Sequence, residues 1–274
     1  MITTELRKLF RRPRTWLALA LLNALPISVA VLLAATHIGP RPGQGPAFLS
    51  AVLANGSLFS IAALAIVLPL FLPLAVAVIA GDSIAGEAQA GTLRYLLIRP
   101  VGRTQLLVAK LLAVFVFVAV AVIAVAGLGY LTGRLLLGGG PATSITTSTV
   151  SVSGTALTPG QLFLRTALAI AFVAFSMLGV AAAALFLSTL TDSPLSAGLG
   201  AIALLIGSSL LLTLDAAKSI QPYLPTRYWL SFVDLFRDPI LWRNVERGVL
   251  LQGVYVVVLL GAAWANFATK DIKS

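Results

Sequence analysis

The chain has 274 residues, 59% hydrophobic and 10% charged, with a formal net charge of +10 and a mean hydropathy of +1.00, against about 25% charged residues in a soluble domain. This excludes a water-soluble fold, and the positive charge does not indicate nucleic acid, because most basic residues border apolar runs rather than one polar readout face. The lack of cysteine and the single histidine, His37, exclude disulfides, thiolate metal sites and imidazole clusters, and the scattered acids offer no paired carboxylates for a metal, so no cofactor and no metal site is expected.

A hydrocarbon core about 30 Å thick takes about 20 apolar residues per helix. Six segments meet that length, near Thr15 to Ala35, Ser57 to Ala80, Leu106 to Tyr130, Leu162 to Leu190, Leu195 to Leu214 and Val249 to Phe267. The runs are continuous and lack the alternation of a membrane barrel, so residues 1–274 read as one all-α, polytopic transmembrane bundle.

Before the first span, Thr4 to Phe10 reads as an amphipathic helix on the membrane surface, with Leu6, Leu9 and Phe10 toward lipid and Arg7, Lys8 and Arg11 toward head groups. The alternative, a secretory signal, is disfavoured because the apolar run exceeds the about 7 to 15 residues of a signal core. Within the spans, Asn23 with Pro26 and Pro69 with Pro73 read as kinks or as path-lining residues. Gly127, Gly129, Gly133, Gly198 and Gly200 offer small surfaces for close helix packing, and His37 reads as a solvated interface residue.

Eleven of the nineteen Lys and Arg fall in the N-terminus, the Gly81 to Gln105 connection with its flanks, and the tail. That bias places both termini in the cytoplasm. On the other side, His37 to Gly56 and Leu135 to Gly160 read as irregular or weakly extended loops rich in Gly, Pro, Ser and Thr. The fifth connection, over 222–247, spaces Tyr228, Trp229, Phe232, Leu235 and Phe236 at helical intervals, with Trp242 following. It reads as one or two amphipathic interfacial helices, serving either as an aromatic belt that anchors the last span or as a gate over a path.

The most informative stretch is the cytoplasmic connection over 81–105. Asp82 and Glu87 fall in a first helical piece, Gly91 interrupts it, and Thr92 caps a second piece bearing Leu93, Leu96 and Leu97. Arg99 before Pro100 ends that piece, and Arg103 or Thr104 starts the next span. Such a kinked amphipathic element suits either docking into a groove on a partner or rest on anionic head groups.

Gly86, Glu87, Gly91, Thr92, Leu93, Arg94, Tyr95, Leu96, Leu97, Arg99, Pro100, Val101, Arg103, Leu106, Leu107 and Lys110 form a pattern that resembles the type-2 (ABC-2) permease subunits of ABC transporters. The nearest subgroup is the short six-span permeases associated with copper-enzyme maturation, sodium efflux or antibiotic export. The layout resembles that family over the whole chain, while only this loop is specific in sequence. The resemblance implies a coupling contact through Gly86, Glu87, Gly91, Thr92, Leu93, Arg94, Leu97 and Arg99 with a separate ABC ATP-binding subunit. It also implies a homodimer or heterodimer of permeases in membrane lipid, the plasma membrane of a prokaryote, and export. No phosphate loop of the G-x-x-x-x-G-K-[ST] kind occurs, so the chain reads as a transport subunit and not an enzyme.

The residues speak against two other classes. An intramembrane enzyme lacks support, since H-E-x-x-H is absent and the serines near Gly154 and Gly207 have no histidine partner on a neighbouring span. An ion-coupled carrier or channel would place ionisable groups at mid-membrane, and the middles of the six segments carry none, Asp192 reading as part of a short cytoplasmic turn and Asp215 as the outer end of the fifth span. The Ala, Leu and Val content fits a hydrophobic cargo and equally the needs of lipid-facing surfaces.

Overall fold

The computed structural model describes residues 2–36, 56–91, 103–137, 149–150 and 156–269. Helix α1 covers Ile2–Arg11 and α2 covers Pro13–Thr36. After a 3-10 turn at Gly56–Leu58 come α3 (Phe59–Val67) and α4 (Phe71–Gln89). Then follow α5 (Arg103–Thr132), α6 (Pro159–Leu190), α7 (Pro194–Leu211) and α8 (Trp242–Thr269). Six helices are long and apolar enough to cross a membrane: Pro13–Thr36, Phe71–Gln89, Thr104–Leu137, Pro159–Leu190, Pro194–Leu211 and Trp242–Ala268. The all-α bundle is therefore established. Its one extended feature among the described residues is a two-residue antiparallel pair, Thr149–Val150 with Ala156–Leu157.

The second span differs from its expected form. Ser57 to Ala80 is not one helix, because Pro69 and Pro73 carry no N–H and their rings crowd the preceding turn. The helix stops after Val67 and restarts at Phe71. It then runs past Ala80 to Gln89, so Asp82 and Glu87 stand on the spanning helix itself.

At the other helix starts the local chemistry follows rule. Thr158 and Gln161 form a reciprocal capping box before Pro159, and Ser193 caps α7 before Pro194. Gly129 and Gly133 on the α5 side approach Ser60, Ala63 and Gly56 so closely that a Cβ at Gly133 would overlap the Gly56 carbonyl.

Helix α6 is the centre, with 67% of its spanning window buried, while α8 has 17% and lies at the periphery against α6. Helix α4 packs between α6 and α7, and Gly81 meets the backbone of Gly198 where a Cβ would come within 2.9 Å. At one end of the bundle, Trp264 Nε1 donates to Thr104 Oγ1 and Asn266 Nδ2 to the Thr189 carbonyl. We call this the charged end.

The opposite end is closed by the segment 215–241, here the aromatic end. Amphipathic α-helices are expected there, but the segment folds as 3-10 turns at Asp215–Ala217, Gln221–Tyr223 and Trp229–Phe236. With three residues per turn, Trp229, Phe232 and Leu235 fall in one line. They are buried together with Phe236 and packed on α6 and α8, so these side chains face protein instead of forming a lipid belt. Backbone carbonyls fasten the segment: Gln252 Nε2 donates to the Pro225 carbonyl at 2.6 Å, Tyr255 Oη to that of Tyr223 at 2.7 Å, and Arg165 to that of Arg237 at 2.9 Å. Ser208 and Thr226 hydroxyls meet at 2.7 Å.

Candidate functional site

The charged end gathers side chains that lie 79 and 105 positions apart in the chain. Arg12 lies in the bend just after α1, and Glu5 and Lys8 stand three residues apart on α1, hence on one helix face. That face turns inward. Lys8 Nζ sits 3.2 Å from Glu5 and 3.1 Å from Glu87 of α4; Lys110 Nζ of α5 sits 2.9 Å from Glu87 and 3.4 Å from Glu5. The four charges alternate in sign around a closed, neutral ring. Lys110 also donates to the Ser83 carbonyl. Beside the ring, Asp82 takes Arg12 on one carboxylate oxygen and Arg14 on the other, the latter at 2.9 Å.

Burial gives the ring its weight. Glu87 is 5% and Lys110 2% exposed. Exposed ion pairs contribute little, whereas removing one partner of a buried pair costs about 3 to 5 kcal/mol through the charge left behind. Burial alone would raise the Glu5 carboxyl, but Lys110 and Lys8 outweigh it and hold its pKa below the ordinary 4.5. Burial alone would lower Lys8, but Glu87 and Glu5 outweigh it and lift its pKa above 10.5.

One expectation is corrected here. The basic face of α1 does not all point to head groups: Arg7 and Arg11 are exposed, while Lys8 turns to Glu87 and Leu9 packs on the core. Ionisable groups also occur on the spanning helices, since Asp82, Glu87 and Lys110 lie within the apolar helices Phe71–Gln89 and Thr104–Leu137.

A second junction lies one turn before the ring. Ser188 of α6 is fully buried, and its hydroxyl inserts into the α4 ladder, accepting from the Ile84 and Ala85 amides at 3.2 and 2.8 Å and donating to the Gly81 carbonyl at 2.7 Å. A side chain placed within the i to i−4 bonds is a recognised cause of helix bending. The part of α4 that bears Asp82 and Glu87 is thus pinned to α6 at its root.

Of the residues read as a coupling site, Gly86 and Glu87 lie on α4 and Gly91 ends it with φ +67, the left-handed conformation that glycine adopts without penalty. Thr92, Leu93, Arg94, Leu97 and Arg99 lie outside the described residues. Glu5, Lys8, Arg12, Arg14, Asp82 and Ser188 are site residues that the sequence reading misses, although the spacing of three between Glu5 and Lys8 on one helix is a usable signal.

A family model described as ABC-2 family transporter protein matches residues 1–191. The match takes in α1 to α6 and both junctions. No curated protein matches the chain.

Proposed function

This chain belongs to the ABC-2 family of transporters, a multi-pass membrane permease component, and from that premise we propose that its energy comes from a separate ATP-binding subunit seated on the 81–105 connection. The observation that supports this most is the Glu87 to Lys110 pair at 2.9 Å. It staples together the two helices that residues 92–102 link in sequence. A load on that connection would reach α4, α5 and, through Glu5 and Lys8, α1 as one rigid unit.

In this reading the charged end faces the cytoplasm with both termini, in a prokaryotic plasma membrane. The partner contacts Gly86, Gly91, Thr92, Leu93, Arg94, Leu97 and Arg99, and the buried Glu87 passes the load to the ring. Two permease copies, identical or paired with a homologue, form the path in membrane lipid, and ATP hydrolysis resides in the partner. Export is the favoured direction because the long connections suggest no extracellular capture domain. Residues 1–274 act as one permease domain, consistent with α7 packing on α4 and α8 on α6 across the end of the family match.

The test replaces Gly91 by Val and Arg94 by Glu in the full complex. The first change forces a β-branched residue into a left-handed conformation that costs about 1 to 2 kcal/mol; the second reverses charge on the proposed contact. Each should reduce co-purification of the ATP-binding subunit or uncouple its hydrolysis from transport. Undiminished complex and undiminished coupled hydrolysis in both variants overturn the reading. Labelling of a Thr92→Cys variant from outside the cell overturns the orientation.

A further inference from the structure

Among the described residues, the ion pairs at the start of α2 leave positive charge in excess. Asp82 is shared between Arg12 and Arg14, so that triad holds a surplus of one positive charge beside a neutral ring. The Arg14 side chain is 57% exposed and engages Asp82 through NH1. A guanidinium has five N–H donors in a planar fork, which leaves it able to bind a second anion.

Arg14 stands at the mouth of a groove of about 660 Å³ between α2 and α4. Its floor is apolar, formed by Leu17, Leu21 and Leu25 of α2 with Phe71, Leu74 and Val78 of α4. Along α2 the lining runs from Arg14 to Ser28, which at 1.5 Å per residue is about 21 Å. Half of a hydrocarbon core is about 15 Å. The groove therefore starts at a cation and follows the bilayer past one leaflet's depth, the dimensions and polarity of an acyl chain beneath its head group.

We propose that Arg14 and this groove form a binding site for one phospholipid with an anionic head group, its phosphate on the Arg14 guanidinium and one acyl chain along Leu17, Leu21 and Leu25. A compact soluble anion would leave the apolar floor uncovered. Charge-assisted bonds to Arg favour phosphate strongly, and each basic residue at the membrane surface contributes about 1 kcal/mol toward anionic lipid.

The full chain, purified in mild detergent without any partner, is titrated with phosphatidylglycerol or with phosphatidylcholine of identical chains, and bound lipid is counted by native mass spectrometry. Because no ATP-binding subunit is present, the outcome is independent of the coupling reading. The expected result is retention of one phosphatidylglycerol with about tenfold preference. Arg14→Gln should abolish the preference, and Leu21→Trp, which fills the groove and leaves the Asp82 triad intact, should abolish retention of either lipid without lowering the melting temperature. Equal retention of the two lipids by the unmodified chain overturns the proposal. So does displacement of the lipid by inorganic phosphate alone, or a groove variant that dissociates a dimer while lipid retention is unchanged.

Discussion

At the end that carries α1, four helices are joined through seven charged side chains, Glu5, Lys8, Arg12, Arg14, Asp82, Glu87 and Lys110. At the opposite end, the 215–241 segment is joined to the bundle by the buried Trp229, Phe232, Leu235 and Phe236 and by donors aimed at backbone carbonyls. Ion pairs respond to charge, pH and any anion or cation that approaches; apolar burial and carbonyl bonds do not. The first end is thus suited to receive a signal from outside the bundle, and the second to keep one shape while it does.

The largest test of that contrast is at the ring. Lys110→Ala leaves the buried Glu87 and the half-buried Glu5 sharing Lys8 alone, one negative charge in excess, and should remove about 3 to 5 kcal/mol of stability, read as a fall in melting temperature. Adding Glu87→Gln should return much of that loss, because the charge that lacked a partner is gone. If the single variant melts like the unmodified chain, the ring does not hold the charged end together.

At the aromatic end, Phe232→Ala should cost about 3 kcal/mol as a cavity and should show no dependence on salt or pH. Raised salt that weakens this variant further would blur the distinction between the two ends. Ser188→Ala comes next, at about 1 to 3 kcal/mol, since the Ile84 and Ala85 amides and the Gly81 carbonyl lose their bridge. Hydrogen exchange should rise at those amides and stay unchanged at the aromatic end; uniform exchange would refute a local pin.

The smallest effect is titration. The Glu5 carboxyl is depressed, so its contribution is complete above pH 4.5 and is lost as pH falls through its lower folded value. Lys8 is raised, so its contribution is complete below pH 10.5 and is lost as pH rises through its higher folded value. A spin label on a Thr4→Cys variant, in a chain with no natural cysteine, should report α1 docked between those limits and mobile beyond them. A label at position 227 should report no change, and parallel changes at both would sink the comparison.

Much of the fold could be read from the sequence because span length is set by the bilayer and helix ends by local chemistry. The start at Arg103, the break at Gly91 and the disturbance at Pro69 and Pro73 all follow from residues within a few positions. The face that α1 presents does not. Periodicity says that Glu5 and Lys8 share a side, but a charged side can meet head groups or another helix, and the deciding partner, Lys110, is 105 residues from Glu5. Ser188 gave no sign at all, being one small polar residue in an apolar run. The 3-10 line of Trp229, Phe232 and Leu235 was visible as a spacing of three, yet an α-helix accommodates that spacing equally well.

The ring also orders the making of the protein. Glu5 and Lys8 leave the ribosome before either Glu87 or Lys110 exists, and no charge of this set is comfortable in hydrocarbon without its opposite. Helix α1 must therefore wait in the aqueous interface until the hairpin of α4 and α5 is synthesised and inserted. The first helix to be made is the last of the three to find its place, and its docking certifies that the two spans carrying Glu87 and Lys110 have arrived beside each other.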